Sequence, residues 1–308
     1  MVLNHPVMDG LTVLERGWLS SNNVVLHDDE RGAALVDSGH CTHAEQTLAL
    51  VRHALGGRRL ACIVNTHLHS DHCGGNAALQ RAFSVPAFIP PGEWQAVRDW
   101  DEDRLTYRPS NQQCERFEAH GTIAPDETLR FGRRQWVVLA APGHDPHSVI
   151  LFDDTHGVLI SADALWENGF GVVFPELVGE PGFDDVGATL DLIGRLGARL
   201  AIPGHGSPFT DVPGALERAR RRLDLMRSDP LRHARHAARV LVKYHLMEVR
   251  RQSVARLHLW ASDTPYLRHL WHRLDRPERS LHAWCDALVR ELVDGGALAL
   301  RDGVVHDA

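Results

Sequence analysis

The chain has 308 residues, of which 44% are hydrophobic, and carries a formal net charge of −7. That length suffices for one large domain and a smaller one. The start, Met1-Val2-Leu3-Asn4-His5-Pro6, lacks the pattern of a signal peptide, and no run approaches the roughly 18 apolar residues of a membrane helix, so a cytoplasmic chain without a membrane partner is expected.

In chain order, apolar runs bounded by turn residues predict strands at 11–15, 18–26, 33–37, 60–65, 127–131, 135–140, 148–153, 157–161 and 199–202. Helical periodicity predicts helices at 43–55, 75–83 and 184–196, the last with Asp184 and Asp185 near its N-terminus. Residues 90–120 read as a long irregular stretch, expected to lie over one edge of the fold. Past Phe209 the pattern turns helical, at 212–228, 231–247, 249–260, 266–274 and 280–293. Two short apolar runs around Asp302-Gly303 then predict a closing hairpin. The strand–turn–helix alternation needs a layered α/β sandwich. The division is expected at 1–228 for this part and 229–308 for a smaller, mainly helical domain.

The chemistry concentrates in His67-Leu68-His69-Ser70-Asp71-His72, which follows the apolar run Leu60–Val64. Alternate side chains of an extended segment share one side, so His67 and His69 can grip one cation. A turn after His69 sends Asp71 and His72 toward a second. Imidazole and carboxylate suit zinc, iron or manganese. Three more positions follow the same grammar of buried strand, small or Gly/Pro punctuation, then ligand: His144 in Pro142-Gly143-His144, Asp163 in Ser161-Ala162-Asp163, and His205 in Pro203-Gly204-His205-Gly206. Histidine is abundant, with 21 in the chain. Seven of them in the last third (233, 236, 245, 258, 269, 272 and 282) lack ligand spacing and read as surface or core residues. Cys73 reads as a packed small hydrophobe, and the five cysteines, with no C-x-x-C pair, as reduced thiols.

These motifs, with Asn65-Thr66 and Val36-Asp37-Ser38-Gly39, resemble the metallo-β-lactamase-fold hydrolase superfamily, with glyoxalase II-like metal motifs. The resemblance implies an αββα sandwich with metals at one edge. It implies that His67, His69 and His144 bind one divalent ion, and that Asp71, His72 and His205 bind another. Asp163 would bridge the two with a water or hydroxide, and Asp71 and Asp163 would be the catalytic carboxylates. The ions are expected to be Zn²⁺, with iron or manganese as alternatives. The tail resembles the winged-helix-like extension of one branch of the superfamily.

The implied activity is hydrolysis of a small-molecule thioester, ester or lactone by a metal-bridging hydroxide. Asp163 stands where β-lactamases carry Cys or Ser. The 41 residues between Asp163 and His205 leave no room for the large insert of the superfamily's nucleases. An iron-dependent persulfide dioxygenase is the alternative enzyme, and a winged-helix nucleic-acid-binding regulator or nuclease the third reading. The tail from residue 211 has 18 basic and 13 acidic residues. Its arginines interleave with acids and make no dense basic stripe, so nucleic acid is not the expected partner. Trp166, Phe170 and His147 are the expected substrate-pocket residues. Trp260, Trp271 and Trp284 offer apolar surface for a homodimer.

Overall fold

A computed structural model describes residues 6–274 and 278–308. The first part of the chain contains β1 (Leu11–Leu14), β2 (Asn23–Leu26), β3 (Ala33–Val36), α1 (Ala44–Leu55), β4 (Leu60–Val64), α2 (Ser70–Cys73), α3 (Asn76–Phe83), β5 (Ala87–Ile89), α4 (Trp94–Asp99), α5 (Tyr107–Ser110) and β6 (Gly121–Thr122). Its strands form one sheet in that order, antiparallel up to β3 and parallel beyond it. Next come β7 (Thr128–Phe131), β8 (Arg134–Ala140), β9 (Val149–Asp153), β10 (Val158–Ala162), α6 (Phe183–Leu196), β11 (Leu200–Pro203) and α7 (Val212–Ser228). They build a second sheet ordered β11-β10-β9-β8-β7, with β10 and β11 its one parallel pair.

The layering follows from the two-residue period of a strand. Val24 and Leu26, Ala34 and Val36 point inward to meet Trp136, Val138, Val149, Leu151, Val158 and Ile160 between the sheets. Their neighbours Val25, Ala33 and Leu35 point outward, onto Leu48, Val51 and Leu55 of α1 and Leu79 of α3. Across the sandwich, Ile150, Phe152, Leu159 and Ala201 point outward onto α6 and α7. Both faces of each sheet are therefore covered, which explains why these strands are almost continuously apolar. The layers run helix, sheet, sheet, helix.

Two expectations are corrected. The strand expected at 18–26 starts only at Asn23, because residues 21 and 22 spend their polar groups on the loops at the sheet edge. Ser21 N–H donates to Asp71 O, Asn22 N–H to Gly204 O, and the Asn22 amide to Pro203 O and Gly206 O. The stretch 90–120 is not irregular. It contains α4 and α5, and Ala96, Val97, Leu105, Tyr107 and Phe117 pack with Leu68, Cys73, Ala77 and Ile89. The strands that flank it, β5 and β6, are three and two residues long, too short for periodicity to reveal.

Beyond α7 lie α8 (Pro230–Val249), β12 (Arg251–Ser253), α9 (Val254–Asp263), α10 (Pro265–Leu274), α11 (Leu281–Asp294), β13 (Leu298–Arg301) and β14 (Val304–Asp307). The helix expected at 249–260 begins later, at Val254, where the Ser253 side chain caps it by accepting from Arg256 N–H. The freed residues pair with β14 in a sheet ordered β12-β14-β13. Asp302 and Gly303 both have positive φ, 49° and 73°, the hand that suits a two-residue hairpin. The helices bury Leu241, Trp260, Leu270, Trp284 and Leu288 together, and the same cluster takes in Val172 and Leu177 from the loop after β10. Among the described residues no helix is long and apolar enough to cross a membrane.

Leu151 is fully buried between the two sheets. Leu151→Ala is expected to lower the unfolding free energy by roughly 2–5 kcal/mol in urea denaturation, without altering the site residues directly.

Candidate metal centre

The side chains of interest gather where β4, β8, β10 and β11 end and their loops begin. After β4 the chain runs through His67 and His69 into the single turn of α2, which carries Asp71 and His72. After β8, Gly143 at φ 133° turns the chain and delivers His144. At the end of β10 the register shifts between Ile160 and Ala162, and Ala162 takes φ 45°. A bulge of this kind re-aims the following side chain, which here is Asp163. After β11, Gly204 sits so tightly that an added Cβ would lie 2.2 Å from Asp163 Oδ1 and 2.9 Å from His72 Cε1. Only glycine lets His205 approach.

The result is two groups of buried donor atoms. His67, His69 and His144 form one, and Asp71, His72, Asp163 and His205 the other, the donor atoms within each lying inside 4.8 Å of one another. Asp163 faces both, its Oδ1 being 3.4 Å from His72 Nε2 and its Oδ2 3.4 Å from His144 Nε2. All seven side chains expected from the sequence are brought together, in the expected groups.

The rings are held by partners outside the groups. His72 Nδ1–H donates to Asp37 Oδ2 at 2.8 Å, and His144 Nδ1–H to the Val172 carbonyl at 2.6 Å. Each bond engages Nδ1 and leaves Nε2 as the nitrogen aimed into the donor groups. Asp37 is itself strained, at φ 57°, and anchored by Thr66, whose N–H and Oγ1–H donate to its two oxygens. The Trp166 indole N–H donates to Asp163 Oδ1 at 3.1 Å.

These residues fit a divalent cation. Nε2 of His67 and of His72 is buried without a hydrogen-bond partner, and His69 Nδ1 lies only 2.7 Å from His144 Nε2, an unusual crowding of lone-pair nitrogens for a protein to carry in one place. Burial and the neighbouring histidines push His67 well below its ordinary value, and the same causes bring His69 to about 4. Both are thus neutral lone-pair donors. Burial also works against a charge on His72, yet Asp163, Asp37 and Asp71 around it raise its pKa well above the usual range. Burial would raise Asp71 and Asp163, but the surrounding imidazoles hold Asp71 at about 2 and Asp163 well below the usual carboxylate range. The second group therefore demands positive charge, which a proton or a metal ion can supply.

A cavity of about 760 Å³ opens onto these groups, with Trp166 in its wall. Two other expected pocket residues lie elsewhere. Phe170 is almost fully buried and packs in the core beneath α7, because the loop after Asp163 folds back and turns its ring inward. His147 is exposed, with its ring against Gly92, since three residues beyond His144 the chain has already turned away. Cys73 packs as expected, although its Sγ lies 3.8 Å from that of Cys114, and all five cysteines are free.

The structure adds residues that spacing alone did not reveal. Trp18 stacks on His205 with centroids 5.3 Å apart. Tyr244, from α8, meets Ser70 Oγ at 3.0 Å. Ser70 Oγ–H donates to Gln112 Oε1, so Tyr244 is the donor to Ser70, one residue before Asp71.

Asp37→Asn is expected to weaken divalent-metal affinity by about 10–100-fold in competition with a chromophoric chelator, as loss of a ligand's orienting partner does. Metal must also displace the proton that His72 retains above its usual range. Affinity is therefore expected to fall steadily as the pH is lowered from about 8 to about 6, and a flat profile would contradict the electrostatics.

The site's sequence neighbourhood is not unique to this chain. A family model described as the metallo-beta-lactamase superfamily matches residues 16–205. A hydroxyacylglutathione hydrolase of Thermosynechococcus vestitus is 30% identical over 151 residues, covering 49% of this chain and 51% of that protein. An acyl-coenzyme A thioesterase of Gallus gallus is 26% identical over 167 residues, covering 50% of this chain and 59% of its own. The chain thus spans little more than half the length of these two relatives. A metallo-beta-lactamase family protein of Thermus thermophilus shares the fold, with a TM-score of 0.55 at 21% identity over 97% of this chain and 99% of its own. Because the family match encloses all seven converging side chains, from His67 to His205, the chain belongs to the metallo-β-lactamase superfamily.

Proposed function

We propose that the chain is a binuclear metal-dependent hydrolase that cleaves a thioester, ester or lactone of a small molecule. The observation that carries this reading is the completeness of both donor groups around Asp163, at the mouth of one cavity. Two divalent cations bound there would supply Lewis acidity and lower the pKa of water toward neutrality. His67, His69 and His144 would hold one, and Asp71, His72 and His205 the other, with Asp163 between them. We take zinc as the metal; iron and manganese suit the same ligands.

The chain's own residues then have defined tasks. Asp71 and Asp163 stay ionised at neutral pH, so their oxygens can orient a water by accepting its O–H groups. Trp166 N–H occupies Asp163 Oδ1 and restricts which lone pairs remain available. Trp18 and Trp166 pack against His205 and give the cavity an aromatic wall beside it.

Several observations weigh against the other readings. An iron-dependent persulfide dioxygenase needs one metal, whereas the second donor group here is as buried as the first. For a nucleic-acid-binding protein, α7 is poorly suited: Arg218, Arg220, Arg221 and Arg227 are paired with Asp211, Asp191, Glu217 and Asp184. We read residues 229–308 as a separate, winged-helix-like domain, supported by α9–α11 and the β13–β14 hairpin, with a structural role beside the cavity and a homodimer as its assembly.

Asp163→Ala and His69→Ala are each expected to lower hydrolysis by at least ~100-fold in a screen of thioesters, lactones and phosphodiesters. Elemental analysis should find two metal ions per chain in the purified protein. A single iron, with oxygen uptake on glutathione persulfide, would overturn the proposal in favour of the dioxygenase.

A further inference from the structure

Three cationic side chains line the cavity away from the metal groups: Arg222 on α7, and Arg239 and Lys243 on α8. Two of them are neutralised. Arg239 lies 3.7 Å from Glu291, and Lys243 binds Asp307 and the Ala297 carbonyl. Arg222 is different. Among the described residues no carboxylate oxygen lies within 4.0 Å of it. Its contacts are the Phe170 ring, 5.2 Å from the guanidinium carbon, and His236 Nε2, 2.9 Å from Nη2.

His236 cannot balance that charge. Burial, and then Arg222 and Arg239, bring its pKa down to about 4, so at neutral pH its Nε2 accepts a hydrogen bond as an uncharged ring. Burial likewise pulls the Arg222 pKa below its ordinary value, although the group keeps its proton. Arg222 is only partly buried, yet its guanidinium faces the cavity with no counter-charge, an arrangement that an anion bound there would complete. The side chain opens onto the cavity with one of its five N–H groups accounted for.

Its position relative to the metal groups can be bounded. An added Cβ on Gly169 would touch the Arg222 guanidinium, and one on Gly171 would touch the His144 ring. Those glycines are two residues apart, a span of at most ~7 Å. With the Cβ reaches and contact distances added, the Arg222 guanidinium lies within roughly 15 Å of the His144 ring, on the same cavity. Val172, Phe174, Val240, Leu241 and Leu292 supply apolar wall to that cavity.

We propose that Arg222 is the specificity residue of this site, gripping a carboxylate at one end of an apolar acyl group whose other end presents the scissile ester or thioester carbonyl to the metal centre. This deepens the hydrolase reading and rests on it. One uncompensated guanidinium matches one negative charge, and its planar fork matches the two oxygens of a carboxylate. A phosphate dianion would leave charge in excess.

The test is calorimetric binding of octanoate, octanamide and octyl phosphate to the metal-loaded protein and its variants. Wild type is expected to prefer octanoate over octanamide by at least ~10-fold, and Arg222→Met to bind the two alike. Arg222→Lys is expected to keep an intermediate preference, because a point charge cannot bind bidentately, and it carries the test should Arg222→Met fail to fold. The proposal is overturned if Arg222→Met retains the full preference, since the carboxylate would then be read by the metals. It is equally overturned if octyl phosphate binds more tightly than octanoate, or if wild type shows no preference. A protein that shows the Arg222-dependent preference yet hydrolyses no ester, thioester or lactone would sink the hydrolase reading and leave the carboxylate grip standing.

Discussion

Asp71 and Asp163 are buried and ionised, and they sit among five histidines in a space a few ångströms across. Withdrawing a carboxylate from water is expensive unless a positive charge accompanies it. The sandwich accepts that cost at the one edge where four strand ends meet. The pressure is visible in His72, a fully buried ring that is nonetheless drawn toward its charged form by three carboxylates. Much of the neighbouring structure exists to keep this arrangement from collapsing. Asp37 and the Val172 carbonyl engage Nδ1 of two imidazoles, the bulge at Ala162 turns Asp163 inward, and Gly204 leaves room for both Asp163 and His72.

The C-terminal helices are tied to that edge rather than hung beside it. Val172 places its carbonyl on His144 and its side chain in the helical core. Phe174 packs on His69 and His144 on one side and on Tyr266 of α10 on the other. Tyr244 donates to Ser70, next to Asp71. A shift of α8 would therefore be felt at both donor groups. The cavity takes one wall from the sandwich loops and the other from α7, α8 and α11, which makes its chemistry a joint property of the two parts.

The odd residue in that wall is Arg222. Along the rest of α7 each arginine that pairs with an acid does so in the exposed or half-exposed fringe, where such pairs contribute little. Arg222 alone among them turns toward the cavity, resting on Phe170 and a neutral histidine. The loop that carries Phe170 also carries Asp163 and Trp166, so the guanidinium and the reacting edge are positioned by the same short segment.

Much of the metal centre was legible in the order of residues. Ligand-type side chains after short apolar runs, with Gly or Pro beside them, need only local geometry to point the same way, and a strand end supplies it. For the same reason the main strands and helices were predictable to within a few residues, from periods of two and 3.6. What escaped depended on contacts between distant segments. Residues 21 and 22 leave β2 because their polar groups find partners on loops some 50 and 180 positions away. The stretch 90–120 becomes ordered because it packs on Leu68 and Cys73, and Phe170 and His147 leave the pocket because their loops fold back. Arg222 looked like one of several interleaved arginines until the fold paired its neighbours and left it facing the cavity. The sequence determined which atoms can bind a cation; tertiary packing alone decided which charges remain uncompensated, because compensation is a matter of distance in space and not along the chain.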